Sequence, residues 1–141
     1  MAAEDGGLSM GQLLAETRRR NASDLVLVAG APPVFRVFGK MTPATGAPLE
    51  TASLQALIRP LLSDAQWTQI QQVGDVDFAV EVPNLGRFRT NVHLQKGSLA
   101  ACIRSLSAEP PKFEELLLPE QLLRLVDLKS GLILITGVTG S

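Results

Sequence analysis

Apolar residues recur along this chain first at helical spacing and later at strand spacing. Met10, Leu13, Leu14 and Thr17 share one face of a helix. Ser9 can cap that helix, with Gln12 three residues on to close a capping box. "DLVLVAG" (24–30) then alternates Leu25, Leu27 and Ala29 against Val26 and Val28, a strand with both faces partly covered. "APP" at 31–33 links it to "VFRVFGKM", a second strand with Gly39-Lys40 as a turn. Residues 42–50, rich in Pro, Gly and Thr, read as loop. Leu54, Leu57, Ile58 and Leu61 return to helical spacing, and Pro60 should kink or shorten that helix. Ser63 and Gln66 form a second capping box ahead of a third helix that buries Trp67 and Ile70.

After Gly74 the period changes to two. Val76, Phe78, Val80 and Val82 fall on one face, and Asp75, Asp77 and Glu81 on the other. "PNLG" (83–86) signals a hairpin. In "RFRTNVHLQ", Phe88, Val92 and Leu94 point inward, while Arg87, Arg89, Asn91, His93 and Gln95 point outward. Lys96-Gly97 turns the chain into a third strand of this meander, "SLAACIRSL". Residues 108–119 form a Pro-bounded loop, and "PEQLLRLVDLK" a short amphipathic helix with Pro119 at its start. A final apolar strand, Leu132 to Ile135, runs into a small-residue loop. Residues 1–7 are small, acidic and glycine-rich and read as a disordered leader.

Composition narrows the classes. The 141 residues suit one domain able to bury a core, and 45% hydrophobic with 19% charged residues is ordinary for a globular protein. A net charge of −1 lacks the basic field of a dedicated nucleic-acid binder. The lone Cys102 excludes an intramolecular disulfide and fits a reducing compartment. No apolar stretch approaches the roughly 18 residues of a membrane helix, and no secretory h-region follows the acidic N-terminus. A cytoplasmic, soluble, globular chain without direct membrane insertion is expected.

Three groups of residues could carry chemistry. Gly137, Val138, Thr139, Gly140 and Ser141 supply five of the eight positions of G-x-x-x-x-G-K-[ST], the loop whose backbone N–H groups wrap phosphates. Alone, such a stretch also reads as a plain glycine turn. Its position after an apolar strand favours an incomplete P-loop, and the ending reads as a break inside a longer protein. Without the lysine and the metal-binding hydroxyl, the chain should not itself bind ATP tightly. The second group is the polar face of the meander. Arg87, Arg89, Asn91 and His93 project from one strand about 6–7 Å apart at each step of two, and Arg104 lies on the next strand. These arginines could reach a phosphate, or pair across strands with Asp77 and Glu81. The third group, Arg18, Arg19 and Arg20, falls where cations suit the carbonyl end of a helix, with a binding role as the other reading. His93 has no Cys/His partners for a metal, Cys102 reads as buried and inert, and no nucleophile elbow surrounds any serine.

Several of these stretches, in order, resemble the PilT-like twitching-motility ATPases of the secretion-ATPase superfamily. "ASDLVLVAGAPPVFRVFGKM" is similar to the family's opening A-S-D-L-H-L, its P-P step and its strand ending in R-x-x-G. "DVDFAVEVPNLGRFRTNVHLQKG" resembles its D-x-x-F-x-x-x-G-x-x-R-F-R-x-N region, and "IRSLS" its F-R-x-I-P segment. "LPEQLLRLVDLKSGLILITGVTGS" resembles the linker helix and the first motor-domain strand, where the family continues G-P-T-G-S-G-K-S-T. The family's histidine after S-D-L is Val26 here and its first P-loop proline is Val138, which leaves a PilU-like paralogue possible.

The resemblance implies an α+β fold: a PAS-like antiparallel sheet with packed helices at 8–118, a linker helix at 119–130, and the start of a RecA-like domain at 131–141, truncated inside the Walker A motif. It implies a homo-hexameric motor at the cytoplasmic face of the inner membrane. Such a motor uses ATP and Mg²⁺ to retract type IV pili with inner-membrane pilus machinery as partner. It also implies that Arg89 and Arg104, and less firmly Arg87, reach ATP phosphates from the N-terminal domain, which senses nucleotide but is not catalytic alone. The competing expectation is a stand-alone PAS-like regulatory module that binds a ligand or partner between sheet and helices and has no ATPase activity.

Overall fold

A computed structural model describes residues 8–106 and 112–137. The expected leader at 1–7, part of the loop at 108–119 and residues 138–141 of the glycine loop lie outside the described residues. The chain divides into two compact units, Met1–Ser107 and Ala108–Ser141.

The first unit is α+β. Helix α1 (Met10–Arg19) leads into β1 (Ala22–Leu27), β2 (Val34–Val37) and β3 (Lys40–Pro43). Helix α2 (Thr51–Ile58) and a 3-10 turn (Arg59–Leu61) precede α3 (Asp64–Val73), and β4 (Asp75–Val82), β5 (Gly86–Gln95) and β6 (Ser98–Ser105) follow. The six strands make one antiparallel sheet in the order β3-β2-β1-β6-β5-β4, so β1 pairs with the last strand and closes the N-terminal hairpins onto the C-terminal meander.

Local chemistry explains the elements. Both expected capping boxes form, Ser9 with Gln12 and Ser63 with Gln66. Pro60 has no N–H to give, and α2 gives way to the 3-10 turn that contains it. "VFRVFGKM" is two short strands rather than one, divided by Phe38 and Gly39 one residue before the expected Gly39-Lys40 turn, because Lys40 already pairs with Val37. Phe38 (φ 47°) and Gly39 (φ 78°) both take left-handed conformations at the hairpin tip, where Phe38 is 89% exposed. One sheet face packs on the helices. Leu25, Leu27, Phe35, Phe88, Val92 and Ile103 from the strands meet Leu13, Leu14, Leu54, Ile58 and Ile70 from the helices in a single buried cluster. Thr90 is buried in this layer with no hydrogen-bond partner for its hydroxyl among the described residues. Leu94, expected inward, is 47% exposed, and Trp67 is only partly buried against the core.

In the second unit, 3-10 turns span Phe113–Leu116 and Glu120–Asp127. The expected amphipathic α-helix at 119–130 is therefore a 3-10 segment, and none of the unit's described side chains is buried. Helical stability comes chiefly from burying an apolar face, which Leu122, Leu123 and Val126 do not do here. The expected strand at Leu132–Ile135 is likewise not formed. Those residues are exposed, and no other described segment pairs with them.

Candidate functional site: the arginine face of the sheet

The sheet face away from the helices gathers the polar residues of five strands. Ladder register sets their neighbours. Arg89 stands directly opposite Arg104 across β5 and β6, and Asn91 opposite Cys102. On the far side of β6, Arg104 faces Asp24 of β1, and Asp24 in turn faces Arg36 of β2. On the β4 side, Glu81 faces Arg87, Ala79 faces Arg89 and Asp77 faces Asn91. Two guanidinium groups directly opposite one another repel, so the pair at 89 and 104 persists only because carboxylates flank it.

Those carboxylates differ in burial. The Asp24 side chain is 5% exposed. It accepts a hydrogen bond from Arg104 Nε at 3.0 Å and one from the Ser23 hydroxyl at 2.8 Å, and its second oxygen lies 3.4 Å from Arg36 Nε. A buried carboxylate is tolerable only when paired and hydrogen-bonded in this way. Asp77 is 44% exposed and accepts two bonds from Arg89, from Nε at 3.0 Å and from a terminal nitrogen at 3.2 Å. Ala79 has no polar group to offer Arg89, so Asp77 reaches it diagonally across the ladder. Those bonds, and then the carboxylate's charge, push the Arg89 guanidinium above its already high ordinary value.

Between the two pairs lies an open hollow of about 240 Å³, lined by Asp24, Asp77, Arg89, Asn91, Cys102 and Arg104. Cys102 is not the core residue expected. It lies half-buried on this polar face, and burial, then Asp24, raise its thiol pKa against smaller opposing effects of Arg104 and Arg36. It is therefore held as a thiol rather than a nucleophilic thiolate. His93 Nδ1 lies 3.0 Å from Asn91 Oδ1, and no group of metal-ligating side chains exists among the described residues. The face sets guanidinium donors on rigid strands around a space far above the roughly 10–15 Å³ that one water needs, a chemistry suited to an anion.

The other arginine cluster is structural. Arg19 and Arg20 both pair with Glu16, whose carboxyl is held down at about 2 by those hydrogen bonds. Arg20 also covers the Phe35 ring at 4.7 Å. Arg18 reaches across to the carbonyls of Leu85 (2.8 Å) and Leu106 (2.7 Å), with its guanidinium 4.9 Å from the Phe88 ring centre.

Of the residues expected at a site, Arg89 and Arg104 are brought together. Arg87 is exposed opposite Glu81, away from the hollow's lining. Gly137 belongs to the second unit, and Val138, Thr139, Gly140 and Ser141 lie outside the described residues. Reasoning from pattern missed Asp24 and Arg36. The available signal was an acid opening an otherwise apolar strand, where an unpaired charge is costly.

Comparison with known proteins bears on what this face serves. No protein-family model matches the chain. Across 130 residues, 92% of its length, it is 38% identical to the type IV pilus retraction ATPase PilT of Pseudomonas aeruginosa. The chain belongs with the N-terminal domain of the PilT-like secretion ATPases. It is 30% identical to PilU of the same organism over 92% of its length, and 33% identical to the Escherichia coli protein YggR over 95%. It spans less than half of these relatives: 38% of PilT, 34% of PilU and 40% of YggR. The solved structure of the pilus retraction motor PilT with bound ADP matches 95% of this PilT-like chain and 39% of its own, at TM-score 0.78 and 40% identity. The Legionella pneumophila ATPase DotB matches 99% of the chain and 41% of its own at the same TM-score and 28% identity. The α+β fold expected from sequence is thus the fold of the family.

Proposed function

We propose that this chain is the nucleotide-sensing N-terminal domain of a hexameric ATPase that retracts type IV pili at the cytoplasmic face of the inner membrane. In this reading residues 8–118 form the PAS-like domain, 119–130 the linker and 131–141 the beginning of the RecA-like motor, with Gly137–Ser141 as phosphate-wrapping backbone. Strand order supports the PAS-like assignment, since the first hairpin and the last three strands flank the helices in sequence yet share one sheet. The observation that carries the reading is the Arg89–Arg104 juxtaposition at the mouth of a polar hollow, in a chain 38% identical to PilT.

The mechanism follows from the arginine face. ATP and Mg²⁺ would bind at the motor domain, and the metal would neutralise the outer phosphates there. Arg89 and Arg104 would contact those phosphates only when the domains close, so nucleotide would favour the closed form by the strength of these contacts. Loss of the γ-phosphate would weaken them and let the domains part, passing a rigid-body rotation to neighbouring subunits. No helix among the described residues is long and apolar enough to cross a membrane. The alternative, a stand-alone ligand-binding module, expects a cavity between sheet and helices. That layer is filled by Leu14, Leu25, Phe35, Leu54, Ile58 and Phe88.

The test is ATP turnover by the intact ATPase carrying this domain. Arg89→Ala and Arg104→Ala should each lower kcat about ten-fold or more, with Arg104→Lys separating charge from geometry. Unchanged turnover in both alanine variants sinks the reading.

A further inference from the structure

The two facing arginines are held in different ways, and the difference has a functional consequence. Asp24 is the fixed floor of the face: it is buried, it is shared by Arg104, Arg36 and Ser23, and it has no solvent to turn to if its partners leave. Arg104 engages it through Nε at 3.0 Å. Arg36, 47% exposed, stands on the other side of the same carboxylate and adds a third cation to the face. Asp77 is the opposite case. It lies on β4, the edge strand, and occupies both Nε and a terminal nitrogen of Arg89. Those are the two donors a guanidinium would turn to a phosphate. Arg89 is 63% exposed and Asp77 44%, so water can replace either partner cheaply.

We propose that Asp77 is a releasable latch on Arg89, and that a polyphosphate enters this face by displacing the Asp77 carboxylate while Asp24 keeps Arg104 and Arg36 in place. This deepens the phosphate-sensing reading by naming what regulates it. Arg104 and Arg36 are standing donors, and Arg89 is a conditional one. The carboxylate of Asp77 competes with the incoming anion for the same two donors of Arg89. Affinity for the anion is therefore set below what three arginines would give, and binding is reported as a rotation of Arg89 away from β4.

The latch can be measured on this chain with sodium tripolyphosphate at low ionic strength, where screening is weakest. Calorimetric titration should show Asp77→Asn binding about three-fold tighter than wild type or better, the scale of an exposed pair's loss. Arg89→Ala should bind more weakly than wild type. In the Asp77→Asn, Arg89→Ala double variant the gain should vanish, because the carboxylate then has nothing to release. Glu81→Gln removes the same charge from the same face of β4 and should leave affinity within two-fold of wild type. Thermal unfolding of each variant checks that the domain is intact. The latch is overturned if wild type and variants bind no tripolyphosphate, if Asp77→Asn gives no gain, if the gain survives in the double variant, or if Glu81→Gln matches it. Its failure is distinct from that of the motor reading. Unchanged ATP turnover in the arginine variants removes the motor reading but leaves the titration result standing, whereas a flat Asp77→Asn titration removes the latch alone.

Discussion

Replacing Gly86 with alanine should destabilise this domain through two separable effects. Gly86 opens β5 with φ of 86°, a left-handed conformation that costs an L-residue about 1–2 kcal/mol. A Cβ built there lies 2.9 Å from a terminal nitrogen of Arg18, inside any normal contact. That nitrogen donates to the Leu106 carbonyl at 2.7 Å, and Arg18 Nε donates to Leu85 at 2.8 Å. Arg18 thus ties the end of α1 to the β4–β5 turn and to the point where the chain leaves β6. Only that flexible terminal nitrogen has to give way, so weakening its bond to Leu106 costs up to about 1.5 kcal/mol. With the backbone strain the sum is about 1–3 kcal/mol. For a domain of about 100 residues this lowers Tm by about 5–15 °C.

Thermal unfolding followed by circular dichroism reads the shift, and a double-mutant cycle separates its parts. In an Arg18→Ala background the clash is gone, so Gly86→Ala should cost only the backbone strain of about 1–2 kcal/mol. The expected coupling between the two positions is about 1 kcal/mol, above the ~0.5 kcal/mol scatter of independent sites. Additive effects, or a Gly86→Ala loss below about 1 kcal/mol, would refute the argument that the missing Cβ is what admits the Arg18 clamp.

Two further outcomes follow from single side chains. Thr90→Val keeps the shape of a fully buried residue and deletes its unpaired hydroxyl, so urea unfolding should show stabilisation of about 1 kcal/mol; a loss would mean the hydroxyl has a partner. Glu16, held at about 2 against its ordinary 4.5, contributes stability that is fully present above pH 4.5 and fades as the pH falls toward 2. Urea midpoints of wild type should therefore exceed those of Glu16→Gln at pH 6, with the gap shrinking below pH 4.5 and closing only below about pH 2; a gap independent of pH would remove the carboxylate as its source.

Much of the fold was legible because its signals are local. Both capping boxes need only four residues of sequence, and both form. The alternation in β4 and β5 survives from Val76 to Val92, with Val76, Phe88 and Val92 buried and Phe78, Val80 and Val82 half-buried. It misleads at Leu94, which continues the inward series in sequence but is 47% exposed. Period alone cannot say where the covering helices stop. The same limit explains the second unit. Leu122, Leu123 and Val126 carry a helical pattern and Leu132–Ile135 an apolar strand pattern, but neither set of residues is buried, and pattern without burial leaves 3-10 turns and unpaired chain.

The site divides along the same line, between what a turn fixes and what only the folded sheet fixes. The Arg89–Arg104 pair follows from a two-residue turn. Gln95 pairs with Ser98 around Lys96-Gly97, and six steps back along β5 meet six steps forward along β6 at those two arginines. Asp24 has no such local tie. It joins Arg104 across 80 positions of sequence and Arg36 through a hairpin whose register slips at a bulge between Ala22 and Asp24. The residue that makes the arginine face permissible was therefore the one that pattern could not place. Two opposed guanidinium groups are costly on their own, and a buried carboxylate is costlier. Only when β1 pairs with β6 do the two costs offset each other, which makes closure of the sheet and assembly of the arginine face the same event.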